Sequence, residues 1–344
     1  MLVAQCLPDL GQGRSAPHNG EVNLPLVVIN GPTASGKSSL AIEVALELVR
    51  RGQPAEIVNT DSMLVYRGMD IGTAKPTPAE LALVPHHLVD VAEMTEAASV
   101  ADFQTRARVT IEELRGRTVV PVLVGGSALY VHAILDEFSF PGTDPEVRAR
   151  WEARLAEVGP EALHAELASR DPAAAAGILP GNGRRIVRAL EVLELTGGFT
   201  PQLPEWSYAL ADVLQFGLHL EREQMDRRID ERVDQMWADG LVDEVRRLVP
   251  LGLRDGLTAS RALGYRQVLQ FLDGELTEGE AMERTKSGTR RLARKQLGWF
   301  RRDPRIVWLP AGDPANVETI VRATLEHECG PDGPEGGRVA SVAP

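Results

Sequence analysis

The 344-residue sequence has little cysteine, few aromatic residues and no long apolar run. Its two cysteines, Cys6 and Cys329, stand near opposite ends of the chain, which excludes a disulfide framework and a cysteine metal site. We therefore expect a reducing, cytoplasmic compartment. No stretch approaches the roughly 20 apolar residues that a membrane-spanning helix needs, so no membrane association is expected. The start of the chain lacks a basic segment followed by an apolar one, which argues against a signal peptide.

Positive charge is in deficit overall, because 37 Lys and Arg stand against 49 Asp and Glu and leave a net charge of −12. Averaged over the chain, this balance argues against a nucleic-acid partner. Residues 284–305 reverse it locally, with nine Lys or Arg and a single Asp. Local patches rather than total charge attract a polyanion, so this segment keeps RNA among the candidate partners.

The strand and helix patterns predict an α/β fold. Residues 24–30 and 56–60 have the pattern of short buried strands, and residues 38–51 that of an amphipathic helix. A helix capped by Ser99 leads to a third buried strand in TVVPVLVGG (118–126). Alternation of strand and helix predicts a doubly wound parallel sheet. A phosphate-binding motif directly after its first strand, GPTASGKS (31–38), makes the expected fold P-loop NTPase-like.

Composition along the chain predicts a helical insertion domain within this sheet. Residues 141–210 are helical and charged in pattern, whereas strand signals return at 213–220 and 305–310. We therefore expect an α/β core from residues 23–140 and 211–329, ending in basic helices. Residues 1–22 are expected to form a loose extension, and the Gly- and Pro-rich residues 330–344 a disordered tail.

The segment GPTASGKS matches G-x-x-x-x-G-K-[ST], a loop whose backbone N–H groups grip phosphates. A strand precedes it and an amphipathic helix follows, which is the context this motif requires. We expect Lys37 to reach the terminal phosphates and Ser38 to ligate Mg²⁺. The predicted phosphate-binding residues are Gly31, Pro32, Thr33, Ala34, Ser35, Gly36, Lys37 and Ser38.

No carboxylate ends the strand in TVVPVLVGG, where a nucleotide hydrolase normally carries an acid beside its Mg²⁺. Gly125, Gly126 and Ser127 stand there instead. Asp61 directly follows another strand, and groups just past the carboxyl ends of parallel strands face the ligand crevice. We therefore expect Asp61 and Ser127 near the gripped phosphates, with a turn cap as the alternative role of Asp61.

Eight segments resemble the tRNA dimethylallyltransferases, also called tRNA isopentenyltransferases, in both order and spacing. They are GPTASGKS (31–38), DSMLVYRGMDIGTAKPT (61–77), PHHLVD (85–90), GGSALY (125–130), DPEVRAR (144–150), RRIVRALEV (184–192), RALGYRQ (261–267) and TRRLARKQLGWFRR (289–302). Enzymes of this family transfer a dimethylallyl group from its diphosphate to N6 of adenosine 37, next to the tRNA anticodon, with Mg²⁺. The resemblance implies that the loop holds a leaving diphosphate and that a C–O bond breaks.

The resemblance also implies residue roles. Asp61 matches the catalytic general base, and Ser127 occupies a position usually held by a Thr whose hydroxyl touches the departing oxygen. Arg228 resembles an arginine that reaches the diphosphate, with Arg232 one turn on as the alternative. Positions matching tRNA contacts are Asp61, Ser62, Met63, Leu64, Ser127, Arg148, Arg184, Arg185, Arg188, Arg261, Gly264, Tyr265, Arg266, Arg290, Arg291 and Arg294.

Spacing in the last block predicts a helix with two faces. Lys286, Arg290 and Arg294 recur every four residues and form a basic face, to which the resemblance assigns the tRNA anticodon stem-loop. The opposing apolar side would be Leu292, Ala293, Leu297 and Phe300. Nothing in the pattern requires an oligomer, so a monomer is expected.

Three rival functions share the phosphate loop. A small-molecule kinase and an ATP-driven RNA-binding switch both ordinarily need a carboxylate near Mg²⁺, which the end of TVVPVLVGG lacks. An adenylate isopentenyltransferase would prenylate free nucleotide, but the arginine-bearing insertion and the basic terminal block favour tRNA. The adjacent His86 and His87 are expected to make structural hydrogen bonds rather than to bind a metal.

Overall fold

One parallel β-sheet forms the centre of the protein. The computed structural model describes residues 24–96, 99–138, 140–200 and 206–327. The expected N-terminal extension, the tail from residue 330 and both cysteines lie outside these ranges. The strands are β1 Leu26–Asn30, β2 Ala55–Asn59, β3 His86–His87, β4 Val120–Gly125, β5 Val213–His219 and β6 Val307–Pro310, in the spatial order β3-β2-β4-β1-β5-β6. The predicted parallel α/β sheet is confirmed.

Helices connect the strands and cover both faces of the sheet. Their bounds are α1 Lys37–Arg50, α2 Pro78–Leu83, α3 Val100–Gly116, α4 Ala128–Leu135, α5 Pro145–Arg170, α6 Pro172–Ala176, α7 Gly183–Thr196, α8 Arg222–Ala238, α9 Leu241–Leu248, α10 Tyr265–Leu272, α11 Glu278–Phe300 and α12 Ala315–Leu325. No helix in the described ranges is long and apolar enough to cross a membrane.

Alternating side chains of β1 supply two separate apolar cores. Val27 and Ile29 pack with residues of α1 and α12, whereas Leu26 and Val28 belong to a cluster with residues of α3, α4, α9 and α10. Successive residues of a strand point to opposite faces, and a strand covered on both faces is apolar throughout. This explains why the sequence around β1 is a continuous apolar run.

Local signals mark most element ends correctly. The Ser99 hydroxyl accepts a hydrogen bond from the Asp102 backbone N–H and caps α3, as predicted. The sequence does not predict β3, which contains only two residues, His86 and His87. The prediction of structural histidines is confirmed: His86 Nδ1 bonds the Val84 carbonyl at 2.8 Å and His87 Nε2 bonds Glu56 at 2.6 Å. Among the described residues, no cluster of His, Cys, Asp or Glu could hold a metal.

Helices α5 to α7, inserted between β4 and β5, pack around an apolar cluster of their own. Trp151, Leu163, Leu167, Ile186 and Leu190 are buried in this cluster. Because these side chains pack on each other rather than on the sheet, the insertion has its own hydrophobic core.

Candidate active site

The phosphate loop leaves the sheet between two neighbouring strand ends. β1 pairs with β4 on one side and β5 on the other, and Asn30 is level with Gly125 and Gly217. Since all these strands are parallel, their carboxyl ends meet at one edge. Asp61, two residues past β2, and Ser127, two residues past β4, therefore lie at the same edge as the loop.

Backbone geometry shapes residues 31–38 into a tight anion-binding turn. Ala34 and Gly36 have φ angles of 62° and 87°, and α1 begins at Lys37. A Cβ at Gly31 would lie only 2.7 Å from the Ser35 hydroxyl oxygen, so the loop folds back on itself only with glycine there. The first N–H groups of a helix have no intrahelical acceptor and can bind an anion. Residues 31–38 thus have the geometry that the motif predicts.

Lys37 is buried at the base of the loop and makes a hydrogen bond to the Pro32 carbonyl at 3.4 Å. Burial lowers its pKa to about 8; the nearby Asp61 carboxylate opposes this effect, and the Arg232 guanidinium adds to it. A buried cation without a full counter-charge is destabilised. Lys37 is therefore a strong site for a ligand with several negative charges.

Asp61 both caps a turn and faces this cation. The Asp61 carboxylate oxygen Oδ1 accepts a hydrogen bond from the Met63 N–H at 2.9 Å. The Asp61 backbone N–H donates to Asn59 Oδ1 at 2.8 Å. The same carboxylate acts electrostatically on Lys37 and Arg232. The turn-capping alternative is thus present, and it restrains the carboxylate at the same edge of the sheet as the phosphate loop.

The end of β4 approaches its neighbours too closely for a side chain at Gly125 and leaves little room for one at Gly126. A Cβ at Gly125 would lie 2.0 Å from Thr60 Oγ1, and one at Gly126 would lie 3.2 Å from the Gly31 carbonyl oxygen. Glycines thus stand where a nucleotide hydrolase carries an acid, and the space at Gly125 admits no acidic side chain. Ser127 is the first residue past them and the N-cap of α4, and its hydroxyl makes no capping bond.

Tyr130, which the sequence analysis gives no role, lies close to the same carboxylate. Burial raises its pKa to about 12, with smaller contributions from Tyr66 and Asp61. Its ring makes an edge-on contact with Phe103, with centroids 5.1 Å apart. Tyr130 is therefore a neutral phenol beside Asp61, and only its place in the GGSALY block could have indicated it.

The two candidate arginines of α8 have different surroundings. Arg232 interacts with Asp61 and Lys37, and burial lowers its pKa. Arg228 lies one turn earlier, with its Nη2 3.6 Å from where a Cβ of Gly312 would stand. The structure therefore brings Arg232 into the cluster around the loop, whereas Arg228 lies beside the turn after β6.

Three ion pairs join α8 to α11 along the basic face that the sequence predicts. Lys286 pairs with Asp234 at 2.6 Å, Arg290 with Asp230, and Arg294 with Asp226 at 3.6 Å. Acidic residues within the chain thus pair with the predicted basic face, and a tRNA contact of Arg290 and Arg294 stays a prediction. The apolar side of α11 is buried at Ala293, Leu297 and Phe300, whereas Leu292, predicted to be packed, is exposed.

Two further cations of α11, Arg291 and Lys295, are exposed, and no carboxylate in the described ranges pairs with either.

Buried polar contacts fix the loop that begins at Asp61. The Glu244 carboxylate, which is buried, accepts hydrogen bonds from the Ile71 N–H at 2.8 Å and the Tyr265 hydroxyl at 2.6 Å. Lys75 donates to Asp70 at 2.7 Å and pairs with Asp90. These contacts tie residues 70–75 of this loop to α9, to α10 and to the segment after β3.

Tyr265 cannot be a direct tRNA contact in this structure, which corrects the sequence-based prediction. Its side chain is fully buried, and its ring would clash with any Cβ at Gly72, 2.5 Å from its Cε2. Gly264, also buried, begins α10 with φ 89°. These two residues build the support for the loop, while their neighbours Arg261 and Arg266 are exposed.

Glu191 organises the base of the helical insertion. Burial alone would raise its pKa, but hydrogen bonds from Thr143, Arg188 and Arg148 lower it to about 2. Arg148 Nη2 and Arg188 Nη1 lie 2.7 and 2.9 Å from its carboxylate. Arg148 and Arg188, both predicted tRNA contacts, thus pair with Glu191. Arg184 and Arg185 are exposed on the same helix α7.

The donor set fits a Mg²⁺ ion that takes most ligands from substrate and water. Ser38 is exposed at the first turn of α1, directly beside the loop. Mg²⁺ prefers oxygen ligands and is commonly bound through one or two protein oxygens together with substrate phosphates. The Ser38 hydroxyl and a diphosphate supply such oxygens.

A phosphate loop at the switch point of a parallel sheet, opposite a fixed carboxylate, defines a P-loop α/β protein that holds a phosphorylated ligand. The chain belongs to the IPP transferase family, whose model matches residues 64–303. It is 61% identical over 309 residues to the tRNA dimethylallyltransferase of Kineococcus radiotolerans, covering 89% of this chain and 97% of that one. The Cutibacterium acnes tRNA dimethylallyltransferase is 58% identical, with 89% and 96% covered.

Solved structures have the same fold. The full-length tRNA isopentenylpyrophosphate transferase of Bacillus halodurans matches with a TM-score of 0.61 and 39% identity, over 88% of this chain and 94% of that one. A eukaryotic dimethylallyltransferase acting on tRNA matches with a TM-score of 0.71 and 25% identity, over 88% and 77%. The family resemblance seen in the eight sequence segments is confirmed.

Proposed function

We propose that this chain transfers a dimethylallyl group from dimethylallyl diphosphate to N6 of the adenosine next to the tRNA anticodon, position 37. The observation that carries the proposal is the placement of Asp61. The Asp61 carboxylate interacts electrostatically with both Lys37 and Arg232, so a base and two cations lie at the same edge of the sheet. A substrate between them would have its diphosphate on the cations and its allylic carbon toward the carboxylate.

The reaction forms one bond and breaks one. N6 of adenine attacks C1 of the dimethylallyl group, the C1–O bond breaks, and the diphosphate leaves with the bonding electron pair. The exocyclic amine is a poor nucleophile because its lone pair is delocalised into the ring. Asp61 accepts a hydrogen bond from N6 and takes its proton as the N–C bond forms. The Met63 N–H keeps this carboxylate in place, and Asn59 holds the Asp61 backbone N–H.

The leaving diphosphate gains charge as the C1–O bond breaks, and fixed positive groups stabilise it. Loop N–H groups, Lys37 and Arg232 supply this stabilisation without reorganising. We assign the diphosphate-contacting role to Arg232 rather than Arg228. Ser38 would hold Mg²⁺, which would neutralise further charge on the diphosphate. The Ser127 hydroxyl, which makes no capping hydrogen bond, donates a hydrogen bond to the departing oxygen.

The tRNA must present an unstacked adenine, because N6 is out of reach inside the anticodon loop. Extrusion costs a few kcal/mol, which contacts elsewhere on the RNA offset. We assign these contacts to six exposed cations of the insertion, of the turn before α10, and of α10 and α11. They are Arg184, Arg185, Arg261, Arg266, Arg291 and Lys295. Ser62, Met63 and Leu64 border the entry to Asp61.

A kinase is disfavoured by the end of β4, where Gly125 and Gly126 stand in place of a Mg²⁺-binding acid and Gly125 has no space for one. A nucleotide prenyltransferase is disfavoured because the relatives named above act on tRNA and the insertion carries exposed arginines. We assign the protein to the cytoplasm, where its RNA substrate is found, and expect it to act as a monomer.

Mass spectrometry of tRNA nucleosides tests the proposal. Unmodified tRNA incubated with the protein, dimethylallyl diphosphate and Mg²⁺ should yield N6-(dimethylallyl)adenosine at a single position. Labelled γ-phosphate of ATP should not reach RNA or a small molecule. Prenylation of free AMP but not of tRNA, or transfer of the γ-phosphate, would contradict the proposal.

A further inference from the structure

Gln296 of α11 makes the long-range hydrogen bond that reaches the backbone of the phosphate loop. Its Oε1 accepts the Thr33 N–H at 2.9 Å, across 263 residues of sequence. Side-chain acceptors that bind loop N–H groups fix the orientation of the peptide plane. The Thr33 peptide is thereby held toward α11.

The other end of the same amide lies against the end of β4. A Cβ at Gly126 would stand 2.8 Å from Gln296 Nε2. The Gln296 side chain therefore fills the gap between the loop after β1 and the turn before Ser127. Its amide touches the two segments that the proposed function assigns to the diphosphate and to the departing oxygen.

α11 is itself firmly attached. Ion pairs join it to α8, and one of them, between Arg294 and Asp226, lies within one helical turn of Gln296. Ala293 packs in a small apolar cluster with Met225 and Ile229, against Ala34 of the loop. An acceptor on a rigid helix can restrain a loop more effectively than one on a mobile segment.

We propose that Gln296 is a positioning residue that holds the phosphate loop in its ligand-binding shape before the diphosphate arrives. A preorganised loop loses less conformational freedom on binding, so the ligand binds more tightly. The identity of the ligand as a diphosphate rests on the proposed function, whereas the restraint on the loop does not.

Amide hydrogen exchange of residues 31–38 tests the restraint without substrate. Gln296→Met keeps nearly the same length but removes a strong acceptor, and should speed exchange in this segment by roughly five- to tenfold, the effect of one net hydrogen bond. Gln296→Glu retains an acceptor oxygen and should keep the wild-type protection. Gln235→Met is the matched control, because Gln235 is an exposed glutamine of α8 that bonds Asp239.

Inorganic pyrophosphate with Mg²⁺ is the probe for the consequence in binding. Gln296→Met should weaken its binding by roughly five- to tenfold. In the complete reaction, the same variant should raise KM for dimethylallyl diphosphate while leaving KM for tRNA unchanged.

Unchanged exchange in Gln296→Met, or loss of protection in Gln296→Glu as well, would overturn the inference. Tighter pyrophosphate binding by Gln296→Met would also overturn it, since Gln296 would then compete with the ligand for the Thr33 amide. If the wild-type protein prenylates no tRNA but the exchange result holds, the proposed function fails and this restraint stands.

Discussion

Asp61 follows strand β2 and Lys37 follows the loop after strand β1. The Asp61 carboxylate opposes the lowering of the Lys37 pKa by burial. One buried cation and one turn-fixed carboxylate thus face each other at the edge where ligands of parallel α/β sheets bind. The buried charge of Lys37 lowers the stability of the fold, and the same charge favours the binding of an anionic substrate.

Lys37→Met should stabilise the protein while abolishing diphosphate binding. Burial lowers the lysine pKa from 10.5 to about 8, so the charged form is disfavoured in the folded state. At 1.36 kcal/mol per pKa unit, removing it should raise the free energy of unfolding at pH 7 by up to about 3 kcal/mol. Denaturant titration measures this change, with the exposed Lys295→Met as control.

The pH dependence of that difference follows from the sign of the shift. Between pH 8 and 10.5 the unfolded chain binds more protons at Lys37 than the folded chain does, so wild-type stability rises with pH there. The advantage of Lys37→Met should therefore be full below pH 8 and disappear as pH approaches 10.5. A destabilised Lys37→Met protein at pH 7 would refute the burial argument.

Arg232 and Arg228 offer a matched comparison on one helix. Arg232 interacts with Asp61 and Lys37, whereas Arg228 lies beside Gly312. Arg232→Ala should lower kcat/KM for dimethylallyl diphosphate by about 10- to 100-fold, the worth of a charge-assisted hydrogen bond. Arg228→Ala should change it by less than about threefold. Steady-state kinetics at saturating tRNA decide, and the opposite ranking would return the role to Arg228.

Exposed and paired cations of α11 should behave differently toward RNA. Replacing Arg291 and Lys295 by alanine should flatten the slope of log K for tRNA against log salt by about 1 to 2, as expected for two lost phosphate contacts. Replacing Arg290 and Arg294 by alanine should instead lower the thermal midpoint, because Asp230 loses its partner and Asp226 keeps only Arg222, at 4.0 Å. If the Arg290 and Arg294 variant flattened the slope more, these pairs would have to open on RNA binding.

Glu191→Gln should destabilise the insertion. The hydrogen bonds from Thr143, Arg188 and Arg148 hold the pKa of Glu191 at about 2, below the ordinary 4.5. This shift corresponds to about 3 kcal/mol of stability at neutral pH. Because the folded pKa is lowered, that stability is present above pH 4.5 and is lost as the pH falls toward 2.

Denaturant titrations between pH 7 and 3 check this dependence. The control is Glu194→Gln on the same helix, where the carboxylate is partly exposed and pairs with Arg150. Equal effects of the two substitutions, or no change with pH, would contradict the assigned role of Glu191.

Short-range signals in the sequence predicted much of the fold. The phosphate loop, the cap at Ser99 and the apolar strands are local patterns, and each is found where expected. The two-residue β3 has no periodicity of its own, and it forms because β2 offers a partner. Local patterns therefore give the elements but not the shortest strand.

Contacts between distant segments were harder to predict. The sequence predicts the basic face formed by Lys286, Arg290 and Arg294. It does not predict the acidic residues that pair with this face, Asp226, Asp230 and Asp234, which are also four residues apart. That match could have indicated paired antiparallel helices. The burial of Tyr265 under Gly72 depends on tertiary packing alone, and nothing in the local sequence distinguishes it from an exposed contact.

The fate of the bridging oxygen tests the central claim that the loop holds a leaving diphosphate. Dimethylallyl diphosphate labelled with oxygen-18 between C1 and phosphorus is incubated with tRNA, Mg²⁺ and either the wild-type protein or Asp61→Asn. The account predicts that wild type places all the label in diphosphate together with prenylated tRNA, and that Asp61→Asn binds tRNA but turns over far more slowly. Label released in dimethylallyl alcohol, or full activity of Asp61→Asn, would contradict it.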